Sequence, residues 1–461
     1  MTFFFAVHSP RYADLCSMHT LAQLRAGQLA GLTRLDLAED LTEFPREIFN
    51  LADTLEVLNL TGNALTSLPD DLPRLHRLRV LFCSDNQFTE VPAVLGQCFQ
   101  LEMVGFKANQ IRTLPGTALP PALRWLILTD NQLEELPAEI GHCPQLQKLM
   151  LAGNRLTKLP ETLADCTNLE LLRLAANQLT ELPTWLLALP RLSWLAYAGN
   201  PVSRALEAAA EQNQPIGPID WNTLTLGQLL GEGASGVIYR AWWQQPNTDA
   251  IAVAVKLFKG AVTSDGLPHC EMLACLKAGA HPNLIAVEGK VRHHPAGAEG
   301  LVLELIDDAF ANLAGPPSLA TCTRDVYAPG TRFSLPTVLG IARDIAAAAG
   351  HLHAQGILHG DLYAHNILTT ADGNALLGDF GAACFFEVTA PNAKALQGVE
   401  VRAFACLLEE LLTQCHATPA TEAALAQLWV LQQRCGQPTP TARPLMAEIE
   451  QALAEVATGL G

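Results

Sequence analysis

The first half of the chain repeats itself at an interval of about 23 residues. The pattern L-x-x-L-x-L-x-x-N recurs, and most copies continue as N-x-L-x-x-L-P, for example NALTSLP and NRLTKLP. Its asparagines are Asn63, Asn86, Asn109, Asn131, Asn154, Asn177 and Asn200. An imperfect earlier copy, LTRLDLAED, places Asp40 in the asparagine position. A fixed period of this length predicts a stack of similar units, because each unit buries its apolar edge only against its neighbours.

The pattern resembles the leucine-rich-repeat family, in its short form with Leu-Pro after the strand, over residues 21–202. The resemblance implies an α/β leucine-rich-repeat solenoid whose leucines face inward. Its asparagine side chains bond backbone groups of the turns, so few buried polar groups stay unpaired.

The residues that flank the second core leucine of each repeat would face the concave side. Phe82, Trp125 and Trp194 are the predicted anchors for a protein partner there, because large exposed apolar groups usually mark a contact. Two alternatives stay open: the array is a rigid spacer, or the second half of the chain covers this face.

The period breaks after residue 202. SRALEAAAEQ predicts a short helix that caps the last repeat, and QNQPIGP predicts a linker, because its prolines and glycine do not continue a helix. Residues 203–220 are therefore expected to form a cap helix and linker, followed by a separate domain over residues 221–455.

Residues 221–455 contain an ordered set of motifs: LGEGASGVIYRA, AVAVK, CEMLACLKAGAHPNLI, LVLELI, GILHGDLYAHNIL and GDF, then VEVRAFACLLEELLT and TARPLMAEIEQAL. In this order they resemble the eukaryotic-type protein kinases, most closely the tyrosine-kinase-like serine/threonine group. The resemblance implies an α+β two-lobed protein-kinase fold that transfers phosphate from ATP with Mg²⁺.

The resemblance assigns a role to each motif residue. Asp361 is the catalytic base that accepts the substrate hydroxyl proton, and Asn366 and Asp379 are the magnesium ligands. Lys256 pairs with the phosphates and Glu271 positions it. Leu303 is the gatekeeper, and the backbone of Glu304 and Ile306 bonds adenine. The implied ATP-binding residues are Gly231, Gly233, Gly236, Ile238, Ala254, Lys256, Glu271, Leu303, Glu304, Ile306 and Leu368.

Several positions depart from that family. Gly360 replaces the arginine before the catalytic aspartate, and Tyr363 replaces the usual lysine two residues after it. The segment from Asp379 to Glu400, the predicted acidic start of the central helix, is short and has no A-P-E motif; Arg443 therefore has no obvious partner. These departures keep two alternatives open: a small-molecule kinase of the aminoglycoside or choline kinase type, and a pseudokinase scaffold.

Composition narrows the setting. The formal net charge of −17 argues against nucleic acid or anionic lipid as a partner. No apolar stretch approaches the 18 residues of a membrane span, and the 12 cysteines form no CxxC pair. Reduced core cysteines predict a cytoplasmic protein, with an exported effector as the open alternative. Protein substrates and a protein partner on the concave repeat face are the expected ligands besides ATP.

Overall fold

The computed structural model describes residues 19–212, 216–233, 235–259, 262–416, 418–419 and 421–459. They form two compact units. The first contains residues 19–191 and 200–202, and the second contains residues 192–199 and the described residues from 203 onward. Residues 192–199 continue the repeat spacing, yet they belong to the second compact unit.

The first unit begins with a short helix, α1 (Leu21–Arg25), and continues as a parallel sheet of three-residue strands. The strands are β1 (Arg34–Asp36), β2 (Val57–Asn59), β3 (Val80–Phe82), β4 (Met103–Gly105), β5 (Trp125–Ile127), β6 (Lys148–Met150) and β7 (Leu171–Arg173). Short 3-10 helices return the chain from each strand to the next: Arg46–Leu51, Leu72–Arg74, Ala93–Gln97, Gly116–Ala118, Ala138–His142, Glu161–Asp165 and Leu186–Ala188. The structure confirms the predicted solenoid.

The repeated asparagines bond backbone groups in the turns, as predicted. Asn86 Nδ2 donates to the carbonyls of Leu60 and Ser84, and its Oδ1 accepts from the Leu65 amide, each at 2.9 Å. Asn154 bonds Leu128 and Leu151 in the same way, at 2.8 and 2.9 Å. Each asparagine therefore bonds its own turn and the preceding repeat, which satisfies buried polar groups at every step of the stack.

The second unit opens with strand β8 (Trp194–Ala196) and helix α2 (Arg204–Gln212), the predicted short helix. A six-stranded sheet follows in the order β10-β11-β12-β14-β13-β9. Its strands are β9 (Pro218–Asp220), β10 (Leu224–Glu232), β11 (Gly236–Trp243), β12 (Ile251–Phe258), β13 (Val287–Arg292) and β14 (Gly300–Glu304). One face packs on helix α3 (Pro268–Ala278) through Met272, Leu276 and Leu301.

The rest of the second unit is mainly helical. Its helices are α4 (Leu335–Ala354), α5 (Ala393–Thr413), α6 (Glu422–Cys435) and α7 (Met446–Thr458). Five short strands lie among them: β15 (Ala311–Asn312), β16 (Ile357–Leu358), β17 (Ile367–Thr369), β18 (Ala375–Leu377) and β19 (Cys384–Phe385). β15, β17 and β18 form one sheet, and β16 pairs with β19. Three further 3-10 turns are Trp221–Thr223, Ala364–Asn366 and Pro440–Ala442. This is the expected two-lobed α+β fold.

Two predicted boundaries are wrong. Residues 218–220, predicted as linker, form β9 and pair in parallel with β13, because Ile219 joins the apolar core of the sheet; residues 213–215 of that linker lie outside the described part. Glu400 does not begin the central helix. Helix α5 starts at Ala393, and Glu400 lies two turns inside it, so the segment between Asp379 and that helix is residues 380–392, which include β19.

Candidate active site

The glycine-rich turn joins strands β10 and β11. Gly231 pairs with Ile238 across the two strands, and the Gly233 amide donates to the Gly236 carbonyl at 2.9 Å. A Cβ on Gly236 would lie 2.5 Å from the carbonyl oxygen of Leu257 on β12, so only glycine fits there. A Cβ on Gly233 would meet nothing within 4 Å. The turn is thus fixed at its base, and the space beside Gly233 is open for phosphates to approach the backbone.

Lys256 on β12 and Glu271 on α3 form a buried ion pair. Their side chains are 12% and 3% exposed. Burial alone would lower the pKa of Lys256, but the charges of Glu271 and Asp379 outweigh it and raise that pKa. The lysine therefore stays a cation at neutral pH, held in one position by a helix that must stay close to the sheet.

Asp361 lies in the loop after β16, next to two groups that fix its position. Asn366 Nδ2 donates to the Asp361 carbonyl at 2.9 Å and to its Oδ2 at 2.8 Å. The Asp361 amide donates to His359 Nδ1 at 3.3 Å, while His359 Nε2 donates to the Gly378 carbonyl at 2.7 Å. His359 is fully buried, so it packs beneath the catalytic loop and supports it through these two hydrogen bonds.

Asp379 follows β18 in a left-handed backbone conformation, with φ at 53°. Its Oδ1 accepts from the Gly381 amide at 3.1 Å. The nitrogen of the Asn366 amide is engaged by Asp361, so its oxygen is the atom that it can offer to a cation. An amide oxygen and a carboxylate are ligands that Mg²⁺ accepts. Within the described ranges, no group of three or more His, Cys, Asp or Glu side chains could hold a metal.

These side chains surround one cavity of about 150 Å³. Its lining includes Gly233, Gly236, Ile238, Lys256, Asp361, Asn366 and Asp379. A smaller cavity of about 50 Å³ lies on the inner side of Lys256 and Glu271, next to Leu303 and Phe380. The structure therefore brings together a cation, two oxygen ligands for a metal and a candidate base. The outermost of these residues, Lys256 and Asp379, are 123 positions apart in sequence (379 − 256).

The predicted adenine-binding residues lie on β12, β14 and β17 and in the segment that follows β14. Ala254 on β12 pairs with Leu303 on β14, and Leu368 is buried on β17. Glu304 and Ile306 line a wide groove of about 1240 Å³. The Glu304 amide donates to the Ala286 carbonyl at 2.9 Å. The hydrogen bond that Glu304 can offer adenine is therefore through its carbonyl, not its amide.

Comparison with known proteins agrees with this geometry. The family model described as protein tyrosine and serine/threonine kinase matches residues 224–401. Two leucine-rich-repeat models match residues 144–202 and 54–75. The chain therefore combines leucine-rich repeats with a protein tyrosine and serine/threonine kinase domain.

Three curated relatives show how far the likeness extends. A probable serine/threonine-protein kinase of Arabidopsis thaliana is 24% identical over 35% of this chain and 21% of its own length. A non-receptor tyrosine-protein kinase of Homo sapiens is 27% identical over 34% of this chain and 22% of its own. The serine/threonine-protein kinase mos of Gallus gallus is 28% identical over 35% of this chain and 48% of its own length. The chain thus matches less than half the length of each of these relatives.

One residue of the kinase site was missed in the sequence. His365 lines the cavity beside Asp361. Its Nδ1 lies 2.8 Å from Asp325 Oδ1, and its amide donates to Asp325 Oδ2 at 3.0 Å. Burial lowers the pKa of His365, but Asp325, with smaller effects from Asp361 and Asp379, raises it above its usual value. The position of His365 inside the catalytic loop was a usable signal. No sequence signal pointed to Asp325, because it lies in the irregular segment before α4.

Glu400 bonds the catalytic loop from within α5. Its Oε1 accepts from the Gly360 amide at 2.8 Å, and its Oε2 lies 2.7 Å from His353 Nε2. Burial would raise the pKa of Glu400, but the hydrogen bond and charge of His353 outweigh it and lower that pKa. Arg443, left without an evident partner by the sequence, donates to the backbone carbonyls of Gln437 and Gly398, each at 2.7 Å.

The three predicted partner anchors differ in exposure. Phe82 and Trp125 are half-buried in the repeat unit, and Trp125 stacks under the Lys148 ammonium at 4.5 Å. Trp194, in contrast, is 1% exposed and contacts the catalytic loop of the kinase domain. The expectation that Trp194 offers an exposed anchor to a separate partner is therefore wrong, because its side chain is used inside the second unit.

Proposed function

We propose that this chain is an ATP- and Mg²⁺-dependent protein kinase that phosphorylates serine or threonine hydroxyls of protein substrates. The observation that carries the proposal is the shared cavity of Lys256, Asp361, Asn366 and Asp379, with the Lys256–Glu271 ion pair in place. The comparisons favour a protein kinase over the small-molecule kinase and the scaffold.

Each side chain has a distinct task in this reaction. Asp361 orients the acceptor hydroxyl and takes its proton, and its carboxylate is kept in position by Asn366. Lys256 stabilises negative charge on the phosphates because Glu271 holds it at the cavity wall. Asn366 and Asp379 would hold Mg²⁺. Bound ATP and Mg²⁺ supply the phosphoryl group and the charge that neutralises its oxygens.

The test is transfer of labelled phosphate from ATP by the purified full chain with Mg²⁺, with and without generic acceptor proteins. Labelled serine or threonine in the acceptor is the expected result. Asp361→Asn is the matched control, because it removes the base while keeping size and hydrogen-bonding shape. Transfer only to small hydroxyl compounds would favour the aminoglycoside or choline kinase type, and no transfer with intact ATP binding would favour the scaffold.

The repeat unit is proposed to bring a protein partner to the kinase domain through its concave face. Phe82 and Trp125 support this, since each keeps part of an aromatic ring exposed on the strand row. The acidic composition favours protein over nucleic acid as that partner. Capture of the partner from lysate by the wild-type chain, and its loss with Phe82→Ala, tests the assignment.

We further propose that the protein works in a reducing compartment, the cytoplasm. Eleven cysteines of the described residues are free thiols, and nine of these are buried. In the described part of the chain, no helix has the length and apolarity to cross a membrane. Cell fractionation with thiol labelling tests the location, and recovery of the protein outside the producing cell would favour the exported effector.

A further inference from the structure

Strand β8, Tyr197 and helix α2 make up a short stretch that we name the bracing segment. It belongs to the same compact unit as the kinase domain. It contacts the catalytic loop, the activation segment between Asp379 and α5, and helix α3. These are the three parts whose positions decide whether a kinase site is assembled.

Trp194 of the bracing segment binds the catalytic loop. Its indole Nε1 donates to the carbonyl of Leu362, the residue after Asp361, at 3.0 Å. Its ring lies parallel to that of Tyr363, with centroids 4.1 Å apart and planes 6° apart. An aromatic pair of this kind fixes the relative position of both rings. Tyr363, the unusual replacement for lysine, is therefore the stacking partner of Trp194.

Tyr197 and Leu195 bind the activation segment. The Tyr197 hydroxyl donates to the Phe385 carbonyl at 2.9 Å, and the Cys384 thiol lies 3.8 Å from the Leu195 carbonyl. Both residues of strand β19 are thus tied to the bracing segment. Tyr197 is 3% exposed, so its hydroxyl has left water and is stabilised by this bond.

Gly360 shows why the usual arginine is missing. Its φ is +73°, and a Cβ there would lie 2.5 Å from the Ala382 carbonyl oxygen and 2.9 Å from that of Leu195. The backbones of the activation segment and of β8 therefore occupy the space that any side chain at this position would need. The arginine that binds the activation-loop phosphate in other kinases is therefore replaced here by a glycine, against which the backbone of β8 packs.

Helix α2 contacts the helix that carries Glu271. Glu207 accepts a hydrogen bond from the Gly199 amide at 2.7 Å. It also lies beside the Cys270 thiol, and burial together with the Glu207 charge raises the pKa of that thiol. Glu211 Oε1 lies 3.9 Å from His269 Nε2. His269 and Cys270 directly precede Glu271 on α3. The bracing segment thus contacts the same turn of α3 that positions Glu271 beside Lys256.

We infer that the bracing segment is a set of positioning residues for phosphoryl transfer, holding the catalytic loop, the activation segment and α3 in their working arrangement. This inference rests on the proposed kinase function. It assigns to Trp194, Tyr197 and Glu207 the role that a phosphate on the activation loop has in other kinases. None of the three touches the cavity, so they act through Asp361 and Glu271.

The test compares full-chain variants in kinetics and in amide hydrogen exchange. Tyr197→Phe deletes one oxygen, and Trp194→Phe keeps an aromatic ring but loses the bond to Leu362. Each is expected to lower kcat about tenfold, as loss of one buried hydrogen bond that fixes the site would do, and to change the KM for ATP less than about twofold. Exchange at the Ala383 and Phe386 amides, which bond the carbonyls of Phe380 and Gly356, is expected to speed up. Trp194→Ala should have a larger effect on both than Trp194→Phe.

Trp429→Phe is the matched control, because Trp429 is 36% exposed on α6, outside the site. Variants of Trp194 and Tyr197 that match this control in kcat and exchange, while their melting temperatures stay at the wild-type value, would overturn the inference. If Trp194→Ala does not fold, Tyr197→Phe decides. A wild-type chain that transfers no phosphate would contradict the proposed kinase function. Amide hydrogen exchange does not require catalysis, so the exchange result would still decide whether the bracing segment holds the loops in place.

Discussion

Replacing Gly360 by alanine tests the packing that the structure shows around the catalytic loop. Two separate costs arise. A left-handed backbone disfavours any residue with a Cβ, by roughly 1–2 kcal/mol. The new methyl would also lie 2.5 Å and 2.9 Å from two backbone oxygens, of Ala382 and Leu195, which cannot move as a flexible side chain can. Forcing a methyl into such a packed place typically costs about 1–3 kcal/mol.

Gly297 separates the two costs. Its φ is +67°, nearly that of Gly360, but a Cβ there would meet nothing within 4 Å. Gly297→Ala therefore bears only the backbone cost. At about 2–4 °C per kcal/mol for a domain of this size, Gly360→Ala should melt roughly 5 °C below Gly297→Ala. It should also lose most of its kinase activity, since the amide of residue 360 bonds Glu400.

The assay is a thermal melt of the full chain followed by circular dichroism, with phosphoryl transfer measured on the same samples. If the two alanine variants melt together and transfer phosphate equally well, β8 and the activation segment do not press on residue 360, and the explanation for the missing arginine fails.

Four further outcomes are expected. Asp379→Ala should abolish Mg²⁺-dependent ATP turnover without changing the melting temperature, and Lys256→Ala should lower turnover by about 10² or more; near-wild-type turnover in either would contradict the site. Trp125→Ala should weaken capture of the repeat partner in a pull-down by about thirtyfold, as loss of a ~2 kcal/mol anchor would; full capture would place the partner elsewhere. Phosphatase-treated enzyme and Thr389→Ala should keep most of the untreated activity, because glycine stands where a phosphate-binding arginine would be; silencing reversed by re-phosphorylation would show a loop switch. Burial raises the pKa of Glu410 to about 8 from 4.5, so the folded chain holds a proton there that the unfolded chain releases. Stability should thus fall from about pH 5 to about pH 8, and Glu410→Gln should flatten that fall in denaturation curves; an unchanged slope would show Glu410 ionised in the fold.

The kinase machinery could be predicted because its residues lie in short motifs with fixed local geometry. A glycine turn between two strands, a lysine on the third strand and an aspartate five residues before an asparagine each specify their own surroundings. The same holds for the repeats, where one asparagine bonds groups of its own and the preceding turn. In these motifs the spacing of the residues along the sequence determines how they are arranged in space.

The errors have a common cause in contacts between distant residues. Trp194 occupies a position that faces solvent in a solenoid, and nothing within its own repeat shows that Leu362 and Tyr363 bury it. The resemblance of VEVRAFACLLEELLT to the central kinase helix predicts Glu400 as the acidic start of that helix. The helix instead begins after Asn392, and Glu400 is buried by the His353 and Gly360 contacts. Asp325 reaches His365 from an irregular segment with no periodic pattern.

The assignment of residues 192–199 to the kinase unit affects how the chain can be divided. A fragment that begins at residue 203 or 221, after the last repeat, would lack β8 and leave Leu362, Tyr363 and Phe385 without the groups that cover them. Polar backbone atoms and an aromatic ring would then face water in the fragment. A recombinant kinase fragment should therefore begin before Leu192, and the solubility of fragments with stepped start points would map where the catalytic half of this protein actually begins.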